Sequence, residues 1–196
     1  HAVRNASQAL RDSGWGGWPP RDRARILRRW ADLIEENSLT LGQLEAVSST
    51  RPIHDCLRHE IPFTAEAIRF FAECADKYSG DLLPTRGGSL GLLAPEPYGV
   101  VGAIAPWNFP LSMASWKCGP ALAAGNAVVL KPSELTPFST LYLAELAVQA
   151  GLPAGLLNIV NGYGASTGSA LVRHPLVRKV SFTGSTATGA VVMSEA

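Results

Sequence analysis

From Val100 onward the chain repeats one unit: a short apolar run, a polar break, then a stretch with helical spacing. "VVGAIA" (Val100–Ala105), "AVVLK" (Ala127–Lys131), "LLNIV" (Leu156–Val160) and "KVSFTG" (Lys179–Gly184) are β-type. Between them, Leu111–Ala124, Thr136–Gly151 and Ala165–Val172 read as helices, and Ser185 opens another. Thr136 suits an N-cap, Pro137 a first turn and Gly151 a helix stop, while Gly119-Pro120 is expected to break or kink its helix. No hairpin signal separates consecutive strands, so they must pair in parallel through helical crossovers. Their near-continuous apolar character fits a sheet covered on both sides. The expected fold is α/β, a Rossmann-like parallel sheet with helices on both faces. Ligands of such sheets sit beyond the carboxyl ends of the strands.

Upstream, "DRARILRRWADLIEENSLTLGQLEAV" spaces Ile26, Trp30, Leu33, Ile34, Leu41 and Leu44 as one helical stripe. Arg23, Arg25, Arg28, Arg29 and Glu35 form its solvated face. "FTAEAIRFFAECADKY" is a second amphipathic helix, with Cys74 as a small packing residue. Glycines and prolines then interrupt Ser79–Gly99, which reads as an extended excursion or hairpin. Three parts are therefore expected: a helical part (1–78), an extended arm (79–99) and the sheet-bearing core (100–196).

Composition narrows the function classes. A net charge of +1 gives no reason to expect a nucleic-acid partner, and no apolar stretch is long enough to span a membrane. Cys56, Cys74 and Cys118 lack the spacing of a disulfide scaffold, so reduced thiols and a cytoplasmic setting are expected. "HDCLRH" brings His54, Asp55, Cys56 and His59 together, but without the paired spacing of a zinc site, and no metal is expected. The opening on His1 instead of methionine is read as a chain cut from something larger.

The strand ends carry the chemistry. In "PWNFP" two prolines stiffen the corner that presents Trp107 and Asn108. The Asn108 amide can donate to a developing oxyanion, a role worth about 3 kcal/mol, or can serve turn geometry alone. Lys117, one helical segment on, faces solvent or joins a proton relay. "LKPSE" ends a strand with Lys131, Ser133 and Glu134; lysine and carboxylate there either bond ribose hydroxyls or form a surface ion pair. "NGYGASTG" is a glycine-rich turn through Gly162, Gly164 and Gly168, one residue too long for the dinucleotide fingerprint. "FTGSTATG" sets Gly184, Ser185 and Thr186 at a helix start, where N–H groups suit a pyrophosphate or merely close a turn. Ala190 stands where a Walker loop needs its lysine.

Taken together, "PWNFPLSMASWKCGPALAAGNAVVLKPSELTPFS", "AGLPAGLLNIVNGYG" and "KVSFTGSTATG" resemble the NAD(P)-dependent aldehyde dehydrogenase superfamily, from about Arg23 onward. The resemblance implies oxidation of an aldehyde to a carboxylate through a cysteine thiohemiacetal and thioester, with NAD as cofactor and NADP as the variant. It casts Asn108 as the oxyanion donor and Lys117 as a neighbour of the proton path. It places Ile104, Ala105, Pro106 and Trp107 beside the cofactor, Lys131 and Glu134 on the adenosine ribose, and Gly164 and Gly168 at the adenine end. Phe182, Gly184 and Ser185 match the glycine loop at the pyrophosphate. The 79–99 arm matches one through which subunits pair, so a homo-dimer or homo-tetramer is expected.

There are departures. Thr188 replaces a usual aliphatic residue, and "SSTRP" replaces the usual Gly-Lys-Pro. The family's nucleophilic cysteine and general-base glutamate both lie C-terminal to its "FTGST" segment, and none of the three cysteines here matches that context. The resemblance thus implies that this chain holds the cofactor residues and the oxyanion asparagine and is inactive alone. Two alternatives stay open: a non-catalytic nucleotide-binding or interaction module of the same fold, and an acylating semialdehyde dehydrogenase.

Overall fold

The computed structural model describes residues 1–196. It opens with helix α1 (Ala2–Ser13), which apolar spacing does not announce because only Val3 and Ala6 are buried on it. Helix α2 (Pro20–Glu36) follows, with proline in its first turn and Asp22 complementing the helix dipole. It buries Trp30, Leu33 and Ile34 of the predicted stripe together with Leu27 and Ala31, which the stripe left out, while the predicted Ile26 is only half-buried. Burial of Leu27 and of Ile34 stabilises by about 2–3 kcal/mol each. The predicted long helix is in fact two, because the chain breaks at Asn37 before α3 (Ser38–Ser49). Asn37 holds that break by donating to Leu33 O (2.8 Å) and accepting from the Tyr142 hydroxyl (2.8 Å).

Arg23 does not belong to a solvated face. It is buried, donates to Ala123 O at 3.0 Å and to Trp18 O, and burial lowers its pKa. A short helix α4 (Ile53–Asp55) runs through a π-turn (Cys56–Glu60) into α5 (Ile61–Cys74), which begins and ends earlier than the predicted helix. Strands β1 (Asp81–Leu83) and β2 (Gly91–Leu93) then pair antiparallel, the hairpin form of the predicted excursion.

The remainder alternates as predicted: β3 (Val100–Ile104), α6 (Pro110–Ala123), β4 (Ala127–Lys131), α7 (Phe138–Gln149), β5 (Leu157–Ile159), a π-turn (Gly164–Gly168) with α8 (Ser169–Val172), β6 (Val177–Phe182) and α9 (Thr186–Glu195). Of the expected break or kink at Gly119-Pro120 there is no break: α6 continues through it to Ala123. A side chain at Gly119 would come 3.2 Å from Phe71 and 3.3 Å from Ile68, so the missing Cβ lets α5 and α6 pack closely. Helix α7 begins two residues after Thr136, whose buried hydroxyl caps nothing.

The four strands form one parallel sheet in the order β5-β4-β3-β6. Every residue of β4 is buried, and successive side chains point to opposite faces, so both faces of the sheet's centre are covered. One continuous core joins Val3 on α1 to Leu171 on α8, so the helices and the sheet share an interior. Two indoles fasten the layers: Trp15 donates to Leu122 O (3.1 Å) and Trp30 to Leu143 O (3.0 Å). No helix is long and apolar enough to cross a membrane.

Candidate active-site edge

The register of the sheet brings three predicted residues into line. Ile104 closes β3 and pairs with Lys131 on one side and Phe182 on the other. Lys131 is only 3% exposed and donates to Pro132 O at 2.8 Å, with Glu134 Oε2 at 3.4 Å. The lysine is therefore not half of a surface pair: its stem is inside the protein and only Glu134 faces outward. Ser133 Oγ accepts from Leu135 N at 3.3 Å, which shapes the turn that follows. Gly168 is buried against this line; a Cβ there would come 3.7 Å from Lys131 Cδ and 4.0 Å from Ile104 Cδ1. Gly162, at φ 145°, is confined to glycine both by backbone and because a Cβ would lie 2.0 Å from Thr167 Oγ1. Gly164 is exposed at the start of the π-turn.

At the end of β6 the backbone turns over the Phe182 ring. A Cβ on Gly184 would lie 2.5 Å from Phe182 Cζ, so the loop can hug that ring only with glycine in place. Ser185 caps α9, its Oγ accepting from Thr188 N at 3.2 Å. Thr188 Oγ1 lies 2.9 Å from the same oxygen, so its hydroxyl is bound up with the cap. Helix α9 presents this N-terminus to solvent and buries none of its residues. Such an end attracts an anion.

Between β3 and α6, Ala105 is buried and donates to Lys131 O at 3.0 Å, Pro106 is half-buried, and Trp107 and Asn108 are exposed. The Asn108 amide makes no hydrogen bond within the chain, so both its N–H groups are available. Lys117 does not face solvent. It is 7% exposed, and its Nζ donates to Thr183 Oγ1 (2.7 Å) and Ser181 Oγ (3.4 Å). Burial lowers its pKa, with a small opposing influence from Cys118. Thr183 and Ser181 are thus anchors of Lys117 that sequence reasoning missed, and no local pattern ties them to a lysine 64 to 66 residues earlier. The structure brings the predicted Ile104, Lys131, Phe182 and Gly168 into one line, fixes Lys117 through the unpredicted Thr183, and leaves Asn108 on the corner between β3 and α6.

Cys56 and Cys118 are poor nucleophiles where they stand. Burial pushes the Cys118 thiol up to about 12 and also raises that of Cys56, while Cys74 is half-buried in α5. His54 and His59 are exposed whereas Cys56 points inward, so "HDCLRH" does not converge on one point.

Two adjoining depressions share Phe182. One, of about 510 Å³, lies between α8 and α9 over Ile104 and Gly168; the other, of about 530 Å³, covers Thr183 to Thr186. A wider hollow of about 760 Å³ beside Arg4 and Asn158 includes none of the strand ends and none of the predicted residues. The model that describes the aldehyde dehydrogenase family matches residues 1–196.

The chain belongs to the aldehyde dehydrogenase family.

Relatives of this aldehyde dehydrogenase chain agree along its whole length. Aminoacetaldehyde dehydrogenase of Pseudomonas aeruginosa is 46% identical over 196 residues, which is 100% of this chain and 40% of that protein. The NADP/NAD-dependent aldehyde dehydrogenase PuuC of Escherichia coli is 47% identical over 195 residues, 100% of this chain and 39% of the relative. The structure of an aldehyde dehydrogenase from Bacillus cereus in its NAD+ complex superposes with a TM-score of 0.95 at 44% identity, covering 99% of this chain and 40% of that one. The chain thus spans about two fifths of the length of the relatives it matches. Its fold and family membership agree with what the strand-end motifs imply.

Proposed function

We propose that residues 1–196 form the cofactor-binding portion of an enzyme that oxidises an aldehyde to a carboxylate with NAD. The observation that carries this reading is the line Lys131–Ile104–Phe182, with Gly168 packed against it and Gly184 where a Cβ would meet the Phe182 ring. Lys131 and Glu134 would hold the adenosine ribose hydroxyls, and Gly164 and Gly168 leave room for the adenine. The Ser185 cap and the N–H groups of α9 would take the pyrophosphate, and Ala105, Pro106 and Trp107 would form the wall toward the nicotinamide. The outward Glu134 carboxylate repels a 2′-phosphate, which favours NAD over NADP. When bound, NAD supplies the hydride acceptor.

Asn108 would donate its amide to the substrate oxygen as negative charge develops there, stabilising that charge by about 3 kcal/mol. Lys117 is fixed by Thr183 and held at a lowered pKa, which suits a group that passes a proton near the same site. The nucleophile and the general base are not supplied by this chain's three cysteines or its strand-end carboxylate. Residues 1–196 alone are therefore expected to bind nucleotide without turnover. The β1–β2 hairpin exposes Leu82 and Leu92 at 68% and 69%, which supports its use as a contact between identical subunits. Free cysteines suit a reducing, cytoplasmic setting.

The test is Asn108→Ala in the full-length protein. Aldehyde-dependent NADH formation should fall about 100-fold in kcat with the Kd for NAD unchanged. An unaltered kcat sinks the assignment of Asn108, and failure of the wild-type protein to form NADH from any simple aldehyde sinks the activity.

A further inference from the structure

A buried carboxylate and a half-buried guanidinium, Glu60 and Arg51, lie under the corner that carries Asn108, and neither lines the two depressions over Phe182. Glu60 ends the π-turn before α5 and is 2% exposed. Its Oε1 accepts from Ser112 N at 2.8 Å, and its Oε2 accepts from Arg51 Nη1 at 2.8 Å. Ser112 is the third residue of α6, and the first N–H groups of a helix have no partner inside it. No side chain of the Phe109 cap residue closes α6. The capping acceptor comes instead from 52 residues earlier in the sequence. Arg51 then places its guanidinium carbon 4.6 Å from the centre of the Phe109 ring. Phe109 directly follows Asn108, and Pro110 directly starts α6. The ion pair therefore grips the corner twice, at the start of the helix through Glu60 and at the Phe109 ring through Arg51.

Stability alone is a weak reason for such a pair. Desolvating the Glu60 carboxylate offsets much of its attraction to Arg51, and an ion pair with one partly exposed member contributes little. What the pair does provide is direction: the two carboxylate oxygens take different partners and tie the Arg51–Glu60 stretch to α6, 52 residues further on. The Asn108 amide has no hydrogen bond of its own, so its aim depends on the backbone on either side of it.

We propose that Glu60 and Arg51 are positioning residues that act through Ser112 and Phe109 to hold the Asn108 amide in line with the substrate oxygen. The proposal rests on the reading of Asn108 given above. A donor displaced by about 1 Å loses on the order of 100-fold in rate.

The test is a double-mutant cycle in the full-length protein, with propanal as substrate and NAD affinity read by calorimetry. Glu60→Ala and Arg51→Met should each lower kcat/KM for propanal by roughly 10- to 100-fold and leave the Kd for NAD within about twofold. Glu60→Gln, whose amide oxygen still accepts from Ser112, should recover most of the loss. In an Asn108→Ala background, Glu60→Ala or Arg51→Met should cost less than about threefold more, because the donor they aim is gone. Full, additive losses on top of a real Asn108→Ala effect overturn the clamp alone, as does a Kd for NAD that rises in step with the loss. An Asn108→Ala protein with unchanged kcat overturns both the clamp and the reading beneath it. Thermal melting accompanies each variant, and if Glu60→Ala does not fold, the cycle is closed with Arg51→Met.

Discussion

Replacing Glu45 with glutamine should stabilise the protein, and only above acid pH. Glu45 sits on α3, is 0% exposed, and neither of its carboxylate oxygens has a hydrogen-bond partner. Burial pushes its pKa from 4.5 to about 7, and the nearby Glu60 carboxylate adds to the rise. The Ser139 hydroxyl, Arg51 and the Leu111 N–H draw it part of the way back, although none of them closes a hydrogen bond to it. Because the folded-state value is raised, the folded chain binds the proton more tightly than the unfolded chain. Stability from this group is fully present below about pH 4.5 and is lost as pH rises through about 7. The difference between those two values corresponds to about 3 kcal/mol at about 1.4 kcal/mol per pH unit. Glutamine has nearly the same shape and no charge, and Ser139 Oγ, itself without a partner, can accept from the new amide. Urea unfolding of full-length wild type and Glu45→Gln at about pH 5 and about pH 8 is the assay. The variant should gain on the wild type by most of that 3 kcal/mol across the interval. Parallel pH profiles, or a variant less stable at the higher pH, would refute the argument that an ionised Glu45 is the cost.

Two further predictions concern the nucleotide groove. Gly184→Ala places a methyl 2.5 Å from the Phe182 ring, so the ring or the loop over it must shift within the depression it shares with Ile104. The Kd for NAD should rise about tenfold by calorimetry, the scale of about 1.4 kcal/mol of overpacking, and an unchanged Kd removes Phe182 from the groove. Glu134→Gln removes the outward carboxylate, so the ratio of NADP to NAD dissociation constants should fall by about tenfold. A ratio that does not move shows that Glu134 lies away from the 2′ position.

Most of the sheet was legible because its signal is local. "AVVLK" is a strand over the five residues predicted, since an apolar β-type run bounded by turns has no other place to go than a buried sheet. The order β5-β4-β3-β6 and the register that puts Ile104 between Lys131 and Phe182 are not local, whereas the parallel direction of the strands follows from the missing hairpins. Errors arose where a residue's partner lies far away in sequence. Arg23 reads as a surface cation by helical spacing, yet Ala123 O and Trp18 O wait for it inside. Gly119-Pro120 reads as a break or a kink, yet α5 packs against that point and the helix does not break. The single predicted helix divides at Asn37 because Tyr142, on another element, bonds to it.

The same division runs through the site. Residue type and strand-end placement were enough to single out Asn108, Lys131, Glu134, Gly184 and Ser185, because a parallel sheet brings its carboxyl ends to one edge whatever the details of packing. That Lys131 and Lys117 are buried, and that Thr183 receives the Lys117 proton donor, depends on contacts across the fold. So does the Glu60–Arg51 pair beneath Asn108, whose members gain a role only when α6 and the π-turn before α5 meet. Periodicity and turn chemistry act over a few residues and are written in the chain. Desolvation and long-range hydrogen bonds depend on which surfaces meet, and only the tertiary structure decides that.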